Sequence, residues 1–323
     1  MVSVEKANIT NGTRVFVRCD IDVLVENEKI SETFRLDVLL ETLNFIIQKS
    51  GKPIIAGHIG RPEGKVVKEL STQYLLPYFN EKLGEGKFEL LENLRFDPRE
   101  ETNDETFAKE LASKADIYVN ESFATCHREH ASIVGVPKLL SSYAGFRLQK
   151  ETNTLNKVLQ NPEKPLVVII GGAKIESKAP VISRFLEIAD HVLLGGKIGQ
   201  EWKKNIPVNL ILPTDYASES KDIGKETIAK FAEIIRNAKT VLWVGPLGMY
   251  EDERFINGTS KVALVITENP RIFSVVGGGN TITALNNLGY LQKFSFVSTG
   301  GGAMLEFLAK GTLVGIETLN KND

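Results

Sequence analysis

The chain has 323 residues, 42% of them hydrophobic and 25% charged, with a formal net charge of −2. That length exceeds one typical core and points to two domains of a soluble globular protein. A slightly acidic chain has no global field for nucleic acid or an anionic membrane surface, so any anion site is a local cluster. Cys19 and Cys126 alone make neither a disulfide framework nor a cysteine metal motif. His58, His127, His130 and His191 contain no H-E-x-x-H pair; His127 and His130 could share a helix face, but they lack a third ligand. The first residues carry no apolar stretch behind a basic end, and nothing approaches the ~20 apolar residues of a membrane span. A cytoplasmic protein is expected.

In chain order, Arg14–Arg18 reads as a short strand followed by Asp20 and Asp22. Residues 34–49 read as an amphipathic helix opened by Arg35, with Leu36, Leu39, Leu40, Leu43 and Ile46 on one side. A strand at 53–56 ends in the loop Gly57-His58-Ile59-Gly60-Arg61-Pro62. A helix at 72–83, a strand at 88–91, a loop carrying Arg95, a helix at 104–113 and a strand at 117–119 follow, then a polar loop reaching Arg128. This alternation means βα units and a parallel sheet. Singly, each arginine reads as a solvated surface group. Together on one sheet edge, His58, Arg61, Arg95 and Arg128 would form a basic pocket for a small acidic phosphorylated substrate.

A second series follows a helix at 149–160, with strands at 166–170, 191–194, 209–212, 240–244, 272–276 and 294–298. Five of these six run into glycine: Gly171-Gly172, Gly195-Gly196, Gly245 with Gly248, Gly277 through Gly279, and Gly300 through Gly302. Glycine merely shortening loops would account for one or two of them. Ligands of open α/β sheets lie beyond the carboxyl ends of the strands, so five such breaks favour a bound nucleotide. The most informative stretch is PLVVIIGGAKIESKAPVI, read as a strand, a Gly-Gly turn and a helix over 173–186. On that helix Lys174 and Lys178 share one face, and the helix start offers free N–H groups to phosphate. The spacing is not that of a P-loop. The fold class expected is α/β, with two Rossmann-like three-layer domains on parallel sheets, joined by a helix and separated by a cleft. The domains would be 1–148, 149–310 with the connecting helix at 149–160, and a tail at 311–323 packing back on the first.

The motifs RVFVRCDIDV, GHIGRPEGK, LLENLRF, YVNESFATCHREHAS, GGAKIESK, WVGPLGMYE, VVGGGNT and STGGGAMLE occur in the order expected for phosphoglycerate kinases. The chain resembles that family from about Arg14 to Leu319. The resemblance implies reversible phosphoryl transfer between 1,3-bisphosphoglycerate and ADP, giving 3-phosphoglycerate and ATP, the nucleotides carrying Mg²⁺. It implies phosphoglycerate on Asp20, Ile21, Asp22, Arg35, His58, Ile59, Gly60, Arg61, Arg95 and Arg128. It implies nucleotide on Gly171, Gly172, Lys174, Lys178, Gly195, Gly196, Glu251, Gly277, Gly278, Gly279, Asn280 and Thr281. Arg35, Lys174 and Lys178 would stabilise the moving phosphoryl group, which needs charge balance more than a covalent nucleophile. Family behaviour also implies domain closure that expels water.

Several positions depart from the family pattern. Asp22 stands where asparagine is usual, placing a second negative charge near an acidic substrate unless an arginine pairs it. Val244 replaces an asparagine, and Asn280 replaces the aspartate that binds Mg²⁺, leaving an amide oxygen as the possible metal ligand. The chain also looks shortened after Gly195-Gly196 and between Pro213 and Gly224. An active kinase with a trimmed nucleotide domain is therefore the first reading, and a weak or inactive binding protein on the same fold the second. A nicotinamide dehydrogenase is a poor third, because no G-x-G-x-x-G follows the first strand. With no heptad and no apolar surface stripe, a monomer is the default expectation, with small-molecule partners and neither nucleic acid nor membrane.

Overall fold

The computed structural model describes residues 1–203, 206–217 and 219–320. The chain divides into two compact units, Met1–Thr152 with the segment from Thr312 onward, and Asn153–Gly311. No helix among the described residues is long and apolar enough to cross a membrane.

The first unit is built on five parallel strands: β1 (Arg14–Arg18), β2 (Lys52–Ala56), β3 (Glu89–Leu90), β4 (Ile117–Asn120) and β5 (Ser141–Ala144), in the order β3-β2-β1-β4-β5. β1 lies central, with Val15 opposite both Pro53 and Ile117. β5 was not expected: its sequence, Ser-Ser-Tyr-Ala, lacks an apolar run. Its Ser142 hydroxyl is satisfied locally, lying 3.0 Å from the Pro137 carbonyl oxygen and 2.8 Å from that of Leu140. The helix expected at 34–49 is two helices, Phe34–Asp37 and Leu40–Gln48. Between them the Leu39 N–H bonds three residues back, to Leu36 O at 3.1 Å, which tightens the turn. Leu36, Leu39, Leu43 and Ile46 still enter the core fully, as the apolar stripe requires.

The second unit carries six parallel strands: β6 (Leu166–Ile170), β7 (His191–Leu194), β8 (Leu210–Ile211), β9 (Thr240–Val244), β10 (Phe273–Gly277) and β11 (Phe296–Ser298), in the order β8-β7-β6-β9-β10-β11. β6 is buried throughout, the signature of a strand covered on both faces. The five neighbouring strands β7, β6, β9, β10 and β11 are those that run into glycine, so the glycine turns line one sheet edge.

The helix Phe146–Gln160 begins in the first unit and ends in the second. Its start is capped by the buried Glu121 carboxylate, which accepts the N–H groups of Arg147 and Leu148, each at 3.1 Å. A Cβ at Gly145 would run into that carboxylate, so glycine is needed there. Burial raises Glu121 to about 7, against the hydrogen bonds that favour its ionised form.

Candidate active site

In the first unit, three loops at the carboxyl ends of β1, β2 and β3 are stitched together by side chains. After β1, the buried Asp20 carboxylate accepts from Arg35 Nη1. Asp22 Oδ1 accepts the Gly60 N–H at 2.8 Å, and its Oδ2 lies 3.9 Å from His58 Nε2. Gly60 has φ +63°, and a Cβ there would come within 2.9 Å of Leu70, so this turn requires glycine. The Gly60 carbonyl accepts from Arg95 Nη1 at 3.0 Å, and Arg95 Nε lies 3.2 Å from Glu101. Asn93 Nδ2 donates to Ile59 O at 2.8 Å, while its Oδ1 accepts the Arg95 N–H at 3.1 Å.

Asp20, Asp22, Arg35, His58 and Arg95 therefore converge, while Arg61 and Arg128 are exposed on the adjoining loops. Among the described residues Asp22 has no direct arginine partner; it holds the Gly60 turn instead and acts at longer range on Arg35 and Arg95. Ile21 and Ile59 send their side chains into the hydrophobic core, so only their backbone is left to meet a ligand. Burial first, and then the surrounding guanidiniums, hold His58 well below the usual imidazole range. His130 is lowered to about 3 for the same reasons. Both imidazoles are thus neutral at neutral pH. His130 Nδ1 lies 3.8 Å from Glu100 Oε1. Among the described residues no group of three or more His, Cys, Asp or Glu side chains could hold a metal ion.

In the second unit the site is made chiefly of backbone. The Gly171 N–H donates to Val244 O at 3.0 Å, Gly172 N–H to Pro246 O at 2.8 Å, and Gly196 N–H to Leu247 O at 3.0 Å. Three strand ends are thereby laced together. A Cβ at Gly171 would run into the Pro246 carbonyl, and one at Gly245 (φ +94°) would lie 2.6 Å from Lys178 Nζ. These glycines are required by close backbone approach. Beside them is a cavity of about 370 Å³ lined by Gly172, Gly196, Pro246, Glu251 and Asn280, a size suited to a small ligand.

The helix expected over 173–186 starts only at Ala179 and runs to Ile188. A helix begun at Ala173 would carry Pro180 in its interior, where the ring removes one hydrogen bond and clashes with the preceding turn. At the helix start that defect costs little. Lys174 and Lys178 consequently do not share a helix face. Lys174 is exposed in the turn, whereas Lys178 is half-buried and donates to Gly171 O. Burial lowers the Lys178 amine to about 8. The turn after β10 opens the helix Gly279–Asn287, with Gly278 at φ +91°. Thr281 is buried, and its Oγ1 accepts the Gly245 N–H at 2.7 Å, so it braces the neighbouring turn. Val244 is buried as well.

Lys197, Gln200 and Lys221 also line the cavity and were not singled out from sequence. They come from a short helix, Gly196–Glu201, and a two-strand hairpin, Tyr216–Ala217 with Asp222–Ile223, whose pairing no motif announced. In the first unit the omission was Arg18, Glu100 and Ser132, all fully buried. A charged residue directly after the buried apolar run Val15, Phe16 and Val17 was the available signal for Arg18.

The first α/β unit thus carries a guanidinium pocket, and the second a cluster of close-packed glycine turns beside a cavity. The phosphoglycerate kinase family model matches residues 4–85, 80–210 and 199–311, and the chain belongs to that family. It is 36% identical to the phosphoglycerate kinase of Leptospira biflexa, over 98% of this chain and 97% of the relative. It is 34% identical to that of Clostridium tetani, over 96% and 95%. The phosphoglycerate kinase structure from Coxiella burnetii superposes with a TM-score of 0.87 at 30% identity, covering 99% of both chains. The Leptospira alignment spans 386 positions against a chain of 323 residues, so this chain is the shorter by a wide margin. The matched segments overlap at 80–85, across the end of the helix Leu76–Leu83, and at 199–210.

Proposed function

We propose that the chain is an ATP:3-phosphoglycerate 1-phosphotransferase, moving a phosphoryl group reversibly between 1,3-bisphosphoglycerate and ADP. The observation that carries this reading is the pocket of Asp20, Arg35, His58 and Arg95, whose charge and donors suit a small phosphorylated acid. The relatives reported above all bear the enzyme's name, which favours an active kinase over a binding protein on the same fold.

In this reading the first unit holds the acid on Arg35, Arg95, Arg61 and Arg128, with His58 as a further donor. Arg35 keeps Asp20 neutralised while its remaining N–H groups face the ligand. The second unit takes the nucleotide, its polyphosphate beside the N–H groups at Gly278 through Asn280 and the ammonium groups of Lys174 and Lys178. Glu251 and Gly195-Gly196 would meet the nucleoside. Magnesium belongs to the nucleotide substrate; Asn280, exposed at the cavity, offers one neutral amide oxygen and the described residues offer no cage. Transfer then depends on positioning and on charge balance by Arg35, Lys174 and Lys178. The cytoplasmic location and the monomeric state belong to the same proposal.

A coupled assay of ATP-dependent 3-phosphoglycerate phosphorylation tests it. Lys174→Ala, at an exposed position, is expected to lower turnover by about 10²–10³-fold while leaving the unfolding midpoint unchanged. No turnover in the parent protein would remove the reading.

A further inference from the structure

Arg18 lies at the end of β1, fully buried. Its Nε donates to Ser132 Oγ at 2.8 Å, and its Nη1 reaches Cys19 O and, at 3.5 Å, Ser122 Oγ. Ser132 in turn is fixed by the buried Glu100: its hydroxyl donates at 2.5 Å and its N–H at 3.0 Å. The guanidinium is therefore braced on three sides from within the unit. Its remaining arm, Nη2, lies 3.2 Å from His58 Nδ1.

A guanidinium has five donors and no acceptor. A contact at that distance is a hydrogen bond only if His58 Nδ1 presents its lone pair, which puts the ring proton on Nε2. A doubly protonated ring would set N–H against N–H and cation against cation. The groups acting on His58 are Arg18, Arg35, Arg95 and His130, with Asp22 exposed on the Nε2 side. Three guanidiniums and burial oppose a second proton; Asp22, at 3.9 Å, is the opposing influence.

We propose that Arg18 is a positioning residue that holds His58 as a neutral imidazole, its Nε2–H aimed at the acid substrate. Such a ring donates to a carboxylate or phosphate oxygen without adding a titrating charge. The contribution of His58 to substrate affinity is then flat from about pH 5 to about pH 8, across the range where an ordinary histidine changes charge. The assignment of a ligand to His58 rests on the reading under Proposed function; the tautomer does not.

The test is two-bond ¹H–¹⁵N correlation spectroscopy on the intact, histidine-labelled chain, with His58→Gln identifying the resonance. The parent is expected to show His58 as the Nε2–H tautomer, without titration over that range. Arg18→Met is expected to let His58 titrate or populate the Nδ1–H form. It should also raise KM for 3-phosphoglycerate by about tenfold with kcat changed by less than about threefold. Arg18→Lys, which keeps a cationic donor, should restore the parental tautomer. A cationic or Nδ1–H ring in the parent overturns the proposal, as does an Arg18→Met protein with an unaltered His58 spectrum. Should Arg18→Met fail to fold, the parent spectrum decides alone. An expected tautomer in a protein without kinase activity would sink the functional reading and leave the role of Arg18 standing.

Discussion

The two candidate sites reach similar ends by different means. In the first unit, side chains hold side chains: Arg35 on Asp20, Arg18 on His58, Arg95 on Gly60, with buried partners behind them. In the second, backbone holds backbone: three strand ends pack so closely that glycine is required, while Lys174, Glu251 and Asn280 stand exposed around them. A fixed carboxylic acid of one shape is met by preset guanidinium forks. A polyphosphate is met by N–H groups, which any polyphosphate accepts equally. The lesson is that the departures Val244 and Asn280 fall where side chains matter least. In the acid pocket, Asp22 is instead tied into the loop network.

The contrast is broken most severely at Gly245. An alanine there meets the Gly171 carbonyl and Lys178 with φ at +94°, so Gly245→Ala should cost about 2–4 kcal/mol by denaturant unfolding and abolish ADP binding. Gly279→Ala, where an added Cβ meets nothing within 4 Å, should change stability by less than about 1 kcal/mol. Equal losses at both would mean the turns are not close-packed.

A smaller effect concerns Lys178. Its amine sits at about 8, so raising the pH from neutral through that value removes a positive charge from the proposed polyphosphate site. ADP affinity should fall by up to about tenfold by pH 9, and Lys178→Arg should flatten the profile. An unchanged profile in the variant would place the titrating group elsewhere.

A third effect lies in the acid pocket and shows only below neutral pH. His130 sits at about 3 in the fold and near 6.5 in the unfolded chain. Between those values the unfolded chain binds the additional proton, so stability is lost as pH falls from about 6.5 toward 3, by about 1.4 kcal/mol per unit. His130→Gln should make unfolding less acid-sensitive by roughly that slope. A parallel pair of curves would show that the imidazole is not held neutral.

Much of this was legible in the sequence. Apolar runs such as Leu166–Ile170 located the buried strands, and their glycine endings located the sheet edge that carries the cavity, because neither feature needs distant partners to be read. What stayed hidden depended on the third dimension. Ser141–Ala144 is a strand because β4 offers an edge to pair with, and its own residues say little. Pro180 could have corrected the start of its helix, since its missing N–H is a local fact. Arg18, Glu100 and Ser132 meet only on folding, from positions 18, 100 and 132, and the cavity-lining Gln200 and Lys221 likewise. The resemblance named the ligand contacts to be expected, but Ile21 and Ile59 turn inward, and the Thr281 hydroxyl is engaged by the Gly245 N–H.

The central claim is that the acid is gripped by preset guanidiniums in one unit and the nucleotide by glycine turns in the other. Calorimetric titration of the parent and Arg35→Lys with 3-phosphoglycerate, and separately with ADP, tests it most directly. Arg35→Lys retains a charge for Asp20 but loses the fork, so affinity for the acid should fall by about tenfold or more with ADP affinity unchanged. Loss of ADP binding to the same extent, or no heat from the acid in the parent, would contradict it.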